Sequence, residues 1–207
     1  MNLFFGLGLG ALSVGAVLGA LALAGLFRSR GLQAMPEGVT LSHFPYFMRQ
    51  LGWQLALSPA EVGLFFTLPL WLLRRWLPLW ATVLLTVVLF GAAHYARPHV
   101  TPLLFLAIAV VVGVPTVTLS LVRGFWAAVG WHFAWNLLLG PVFGLIVAGQ
   151  DIFGWFDSLT SGAALWTGGL YGPEGSLTAC LVNGGLFGWM LWQVFRKRLS
   201  LGLSGRA

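Results

Sequence analysis

Charge is what this sequence lacks most: only 8% of its 207 residues are Asp, Glu, Lys or Arg. A soluble domain carries roughly 25%, so this chain has too little polar surface to cover itself in water. Cysteine is nearly absent too. The single Cys180 has no partner within the chain, which excludes a disulfide-stapled scaffold and says nothing about redox compartment. No cationic face is present either, because the 11 Lys and Arg are scattered in ones, twos and threes between apolar runs. That scatter suits membrane-flank anchoring and argues against a nucleic-acid partner. There is no internal repeat and no His-Glu-x-x-His helix.

What is there is apolar: 58% hydrophobic residues, 11 Trp, 16 Phe and a mean hydropathy of +0.89. About 20 helical residues cross the hydrocarbon core. Six runs approach that length: Leu3–Phe27, Ala56–Leu73, Leu79–Ala96, Pro102–Val122, Phe125–Ala148 and Leu177–Phe195. The expected fold is therefore all-α, a polytopic transmembrane bundle of about six spanning helices in a lipid bilayer. It forms a single membrane domain over 1–207, with an N-terminal helix and interfacial segment (1–55) and a core (56–198). The first run has no Lys or Arg before it and exceeds a signal-peptide core, so it is expected to stay as a helix. Its Gly6, Gly10, Gly15 and Gly19 sit at spacings that let helices approach closely.

Charge bias gives an orientation. Arg196-Lys197-Arg198 follow the last run, whereas Gln150 to Ser176 holds Asp151, Asp157 and Glu174 without a cation. The positive-inside rule then puts the C-terminus in the cytoplasm. Arg74, Arg75, Arg123 and Arg206 join it there, and Arg28, Arg30, Arg49 and Arg97 fall outside. Trp53, Trp71, Trp76, Trp80 and Trp126 lie near expected helix ends, as an aromatic belt does. His43 and His99 lie in connections and are expected to be interfacial.

An ionisable side chain in a membrane helix costs a few kcal/mol, so those present are functional candidates. The deep set is Glu61, His94 and His132, with the strongly polar Asn136. Glu61 and His94 are equidistant from the turn around Leu77, so an antiparallel hairpin brings them to one depth. His132 and Asn136 are four apart and share a helix face; counted from their helix start they sit about 10 Å shallower than Glu61. Each also has a plainer reading. A histidine can sit at the interface, an asparagine can glue helices, and Glu61 can serve its own first helical turn. Taken together they suit hydrolysis: a carboxylate in an apolar setting takes a proton from water, while His and Asn donors hold an oxyanion. They also suit zinc, for which two His and one Glu are common ligands.

Phe90-Gly-Ala-Ala-His94 and His132-Phe-Ala-Trp-Asn136 resemble the Phe-x-x-x-His and His-x-x-x-Asn motifs of the CPBP intramembrane proteases, the family of CAAX prenyl endopeptidases and bacteriocin-processing proteins. Gly172-Pro-Glu-Gly175 is similar to a loop of bacterial members, and the likeness covers about 58–195. The family's first motif, a glutamate pair followed three residues on by arginine, is matched only at Glu61; Val62 and Phe66 stand at the other two positions. The resemblance implies a metal-free, glutamate-dependent endopeptidase of a bacterial or archaeal cell membrane, with zinc as the minority alternative. Glu61 and His94 would activate water, His132 and Asn136 would hold the oxyanion, and the substrate would be a membrane-associated protein or peptide. Val62 and Phe66 keep a second expectation open, an inactive scaffold, regulator or immunity protein of the same fold. A carrier protonated at Glu61 is a third, disfavoured because no second buried acid is expected. Glu174 is expected to shape a turn, or to contact the site mouth.

Overall fold

The computed structural model describes residues 1–35 and 42–200. Arg206 and the side chain of Arg198, both counted above among the cytoplasmic cations, lie outside the described residues. The chain is an all-α membrane bundle. Helix α1 spans Asn2–Leu23, α2 His43–Leu73, α3 Leu79–Ala93, α4 Pro102–Val122, α5 Phe125–Leu137 with one further wide turn, Leu138–Val142, and α6 begins at Leu177 and runs through Lys197. Four of them, α1, α2, α4 and α6, are long and apolar enough to cross a membrane; α3, at 15 residues, is shorter.

The segment expected to be interfacial has regular structure of its own. Phe27–Leu32 is a strand, β1, and α2 starts at His43 rather than Ala56, with Pro45 in a first turn that needs no N–H from it. Strand β1 pairs antiparallel with β2 (Phe156–Thr160), with Phe27 opposite Thr160 and a bulge between Ser29 and Leu32. Gly31 takes φ +104° in that bulge, a conformation glycine reaches without strain.

Lipid tails are as apolar as leucine, so the helices are held by close packing and internal polar contacts rather than by expulsion of water. Gly6 and Gly10 of α1 and Gly130 of α5 meet at a near-backbone approach: a Cβ on Gly130 would lie 2.3 Å from the Leu3 carbonyl oxygen. Asn2 Nδ2 donates to the Arg123 carbonyl at 2.8 Å, so α1 and α5 start side by side and run parallel. Ser13 on α1 accepts from the Trp131 indole at 3.1 Å, and Trp131 stacks on Trp135.

Wide π-type turns interrupt α2 (Gly63–Thr67), α4 (Ala109–Gly113), α5 (Leu138–Val142) and α6 (Cys180–Gly184). Three have a sequence cause. Pro69, Pro115 and Pro141 cannot bond the carbonyls of Phe65, Val111 and Leu137 four residues back and would clash with them, so the helix widens there. In α4 the freed Val111 carbonyl accepts from Asn183 Nδ2 of the α6 turn at 3.0 Å, in a fully buried contact.

Chain direction alternates through the bundle, so the start of α1, the Arg74–Arg75 turn, Arg123 and the end of α6 share one end. The β ribbon, the turn after α3 and the connection from α5 to α6 occupy the other. Arg75 packs over Trp71 at 3.8 Å and Arg123 over Phe5 at 4.8 Å at the first end.

Candidate functional site

The lower half of α2 packs on α3, whereas its upper half packs on α5 and stands away from α3, and beside that upper half lies a cavity of about 320 Å³. Gln50, Gln54, Leu57 and Glu61 line it at spacings of four, three and four, which is one face of a helix. Pro59 lies two residues before Glu61 and the π turn begins two residues after it, so the carboxylate sits on the most irregular stretch of α2.

All four residues singled out in the sequence, Glu61, His94, His132 and Asn136, line this one cavity. Their pairing differs from the one expected. Glu61 Oε2 accepts from His132 Nε2 at 2.8 Å, with His132 2% and Glu61 17% exposed. The two side chains therefore meet at one depth, where the sequence count put them about 10 Å apart; the widened turn below Glu61 recovers about one residue of rise, and the rest is tilt and offset between the helices. His94 instead donates from Nδ1 to the Phe90 carbonyl at 3.0 Å, a bond within its own helix end. That leaves Nε2 of His94 as the ring atom able to engage a ligand. His132 Nδ1 is buried and has no hydrogen-bond partner among the described residues.

Where the resemblance has a second acid and an arginine, this chain has core. Val62 and Phe66 are fully buried, and Phe66 packs at 4.7 Å on Phe90, whose ring lies 4.6 Å from His94 and 6.1 Å from His132. An aromatic support thus stands behind both histidines.

Sequence reading undervalued Glu174. It is a buried acid, 4% exposed, and it lines the same cavity, which corrects the expectation that no second buried acid exists. Its Oε1 accepts from the Trp135 indole at 2.8 Å and its Oε2 from the Ala148 N–H at 2.9 Å. Ala148 (φ +50°) and Gly149 (φ +75°) form a tight turn closed by Val147 and Gln150. Only glycine, or asparagine and aspartate at some cost, adopts such angles freely, so Glu174 holds a strained alanine against the cavity wall. Gly149 N–H donates to the Tyr171 carbonyl at 2.9 Å, and the buried Tyr171 hydroxyl is pushed above its ordinary pKa by burial and by the Glu174 charge. The glycines around Pro173 and Glu174 were the available signal.

Gln50, Gln54 and Arg97 were missed for another reason. The two glutamines lower the local hydropathy, so the apolar run began only after them, although their spacing to Glu61 was readable. Among the described residues no group of three or more His, Cys, Asp or Glu is arranged to hold a metal ion. No protein-family model matches the chain, and no curated protein or solved structure matches it.

Proposed function

We propose that the protein is an intramembrane endopeptidase of the glutamate-dependent kind, hydrolysing a peptide bond of a membrane-associated protein or peptide near the bilayer surface. The observation that carries this is the Glu61–His132 hydrogen bond inside a cavity that also holds His94 and Asn136. With Oε2 held by His132, Glu61 keeps Oε1 for a water molecule. The carboxylate takes one proton of that water while its oxygen adds to the substrate carbonyl carbon. The Asn136 amide is the donor at hand for the negative oxygen that forms, while Nε2 of His94, unprotonated because Nδ1 donates to Phe90, is placed to accept from the attacking water. The C–N bond then breaks as Glu61 returns the proton to the leaving amine. His132 is committed to Glu61, so its part is orientation rather than the oxyanion role implied by the resemblance.

In this reading the C-terminal cations stand in the cytoplasm of a bacterial or archaeal cell. The cavity mouth, at the opposite end of the bundle, opens outward. Burial of Val62 and Phe66 favours a second reading, a scaffold or regulator that keeps the fold without the chemistry. Cleavage of reporter peptides in reconstituted vesicles separates the two. Wild type cleaving and Glu61→Gln failing supports the peptidase, and equal behaviour of both dismisses it.

A further inference from the structure

The cavity is lined by one guanidinium, that of Arg97, and among the described residues it forms no ion pair or hydrogen bond. Both acids that share the cavity are already engaged, Glu61 by His132 and Glu174 by Trp135 and Ala148. A cation left unpaired at the wall of a cleft is matched by an anion that arrives with the ligand.

Its place in the cleft defines which anion. Arg97 N–H donates to the His94 carbonyl at 3.0 Å, so one turn joins the two residues with their Cα atoms within about 7 Å, and the side chains of both line the cavity. That distance equals about two residues of extended chain. The cleft does not end there. Along α2 it continues from Glu61 to Gln50, eleven residues or about 16 Å, enough for about five extended residues. Gln54, whose Oε1 is buried without a partner, and the exposed Gln150 line this outer stretch. Amide side chains both donate and accept, which suits the backbone of a passing peptide.

We propose that Arg97 forms an acid-recognising subsite, receiving an Asp or Glu side chain about two residues from the scissile bond while the chain continues outward past Gln54 and Gln50. A terminal carboxylate would stop the chain at Arg97 and leave the glutamine-lined stretch unused. The inference rests on the endopeptidase reading for the position of the scissile bond, but the subsite itself is a matter of binding.

The test uses the full chain in lipid nanodiscs and fluorescent Ala/Leu peptides carrying one internal Glu, Gln or Lys, each with a free or an amidated C-terminus. Binding is read on Glu61→Gln protein and cleavage on wild type. The Glu peptide is expected to bind about tenfold tighter than the Gln peptide, the magnitude of one charge-assisted pair. Arg97→Gln removes that preference, Arg97→Lys keeps part of it, and Arg97→Glu turns it toward Lys. Equal binding of the peptides, an unaltered preference in Arg97→Gln, or a preference that follows the free C-terminus overturns the subsite. Selective binding without any cleavage by wild type removes the peptidase reading and leaves the subsite standing; cleavage without acid preference does the reverse.

Discussion

Glu61 and His132, 71 positions apart in the chain, meet at 2.8 Å between Oε2 and Nε2 in the wall of a cavity within the membrane bundle. The bond fixes one carboxylate oxygen and leaves the other to solvent or substrate. If the site hydrolyses peptides, Glu61→Gln keeps the shape but loses the base, and cleavage in proteoliposomes falls by about 10²–10⁴-fold. Asn136→Ala removes one oxyanion donor, with an expected loss of about 10²–10³-fold in kcat and little change in KM. Wild-type rates in both variants would show that the pair is architecture.

Glu174 is expected to matter for stability as much as for the site. Glu174→Ala strands the Trp135 indole N–H and the Ala148 N–H, both buried. An unpaired buried donor costs about 1–3 kcal/mol, so the detergent-solubilised protein should unfold several degrees lower. Glu174→Gln retains one acceptor and should lie between. A melting point unchanged in the alanine variant would contradict the tie between the turn and α5.

Much of the fold was legible because lipid demands it. Six apolar runs foretold the helices, and Glu61, His94, His132 and Asn136 stood out because ionisable and amide groups in hydrocarbon are few. What escaped was whatever depended on a cavity. Gln50 and Gln54 read as the end of hydrophobicity, although they line the cavity side of a helix that starts thirteen residues before Ala56, at His43. The partner of Glu61 was misjudged because depth counted along each helix from its own turn carries no information on how the helices tilt and are offset against one another, and the π turn beneath Glu61 adds about one residue to the error. Residues 27–32 gave no strand signal, because Arg28 and Arg30 alternate with small residues and pairing waits for a β2 supplied more than a hundred residues later.

Alkaline pH offers an independent probe of the Tyr171 pocket. Burial raises the Tyr171 pKa in the folded state above its unfolded value of about 10. The folded protein therefore holds that proton longer, so the contribution is intact below pH 10 and is lost as pH rises further. Melting of wild type is expected to fall more steeply above that point than melting of Tyr171→Phe. Parallel curves would show that the hydroxyl does not sense the fold.

The two ends of the bundle can be told apart by chemistry. Gln150 is exposed at the cavity mouth and Arg75 is exposed at the end where α1 starts and α6 ends. In a Cys180→Ser background, Gln150→Cys should react with a membrane-impermeant maleimide added to intact cells, and Arg75→Cys only after permeabilisation. Reversed labelling would keep the bundle and turn the cleft toward the cytoplasm.

Close approach of α1 to α5 carries the last expectation. A methyl at Gly130 meets the Leu3 carbonyl at 2.3 Å and one at Gly6 meets the Ala127 carbonyl at 2.0 Å, whereas one at Gly15 meets nothing within 4 Å. Backbone cannot yield as a side-chain tip does, so Gly130→Ala and Gly6→Ala force the helices apart and should each cost about 1–3 kcal/mol. Gly15→Ala gains helix propensity of up to about 1 kcal/mol and should be neutral or stabilising. Since α5 carries His132 and Asn136, the first two variants should also lose cleavage in proportion to the displacement. Equal melting points for all three would mean that α1 is attached to the bundle in some other way.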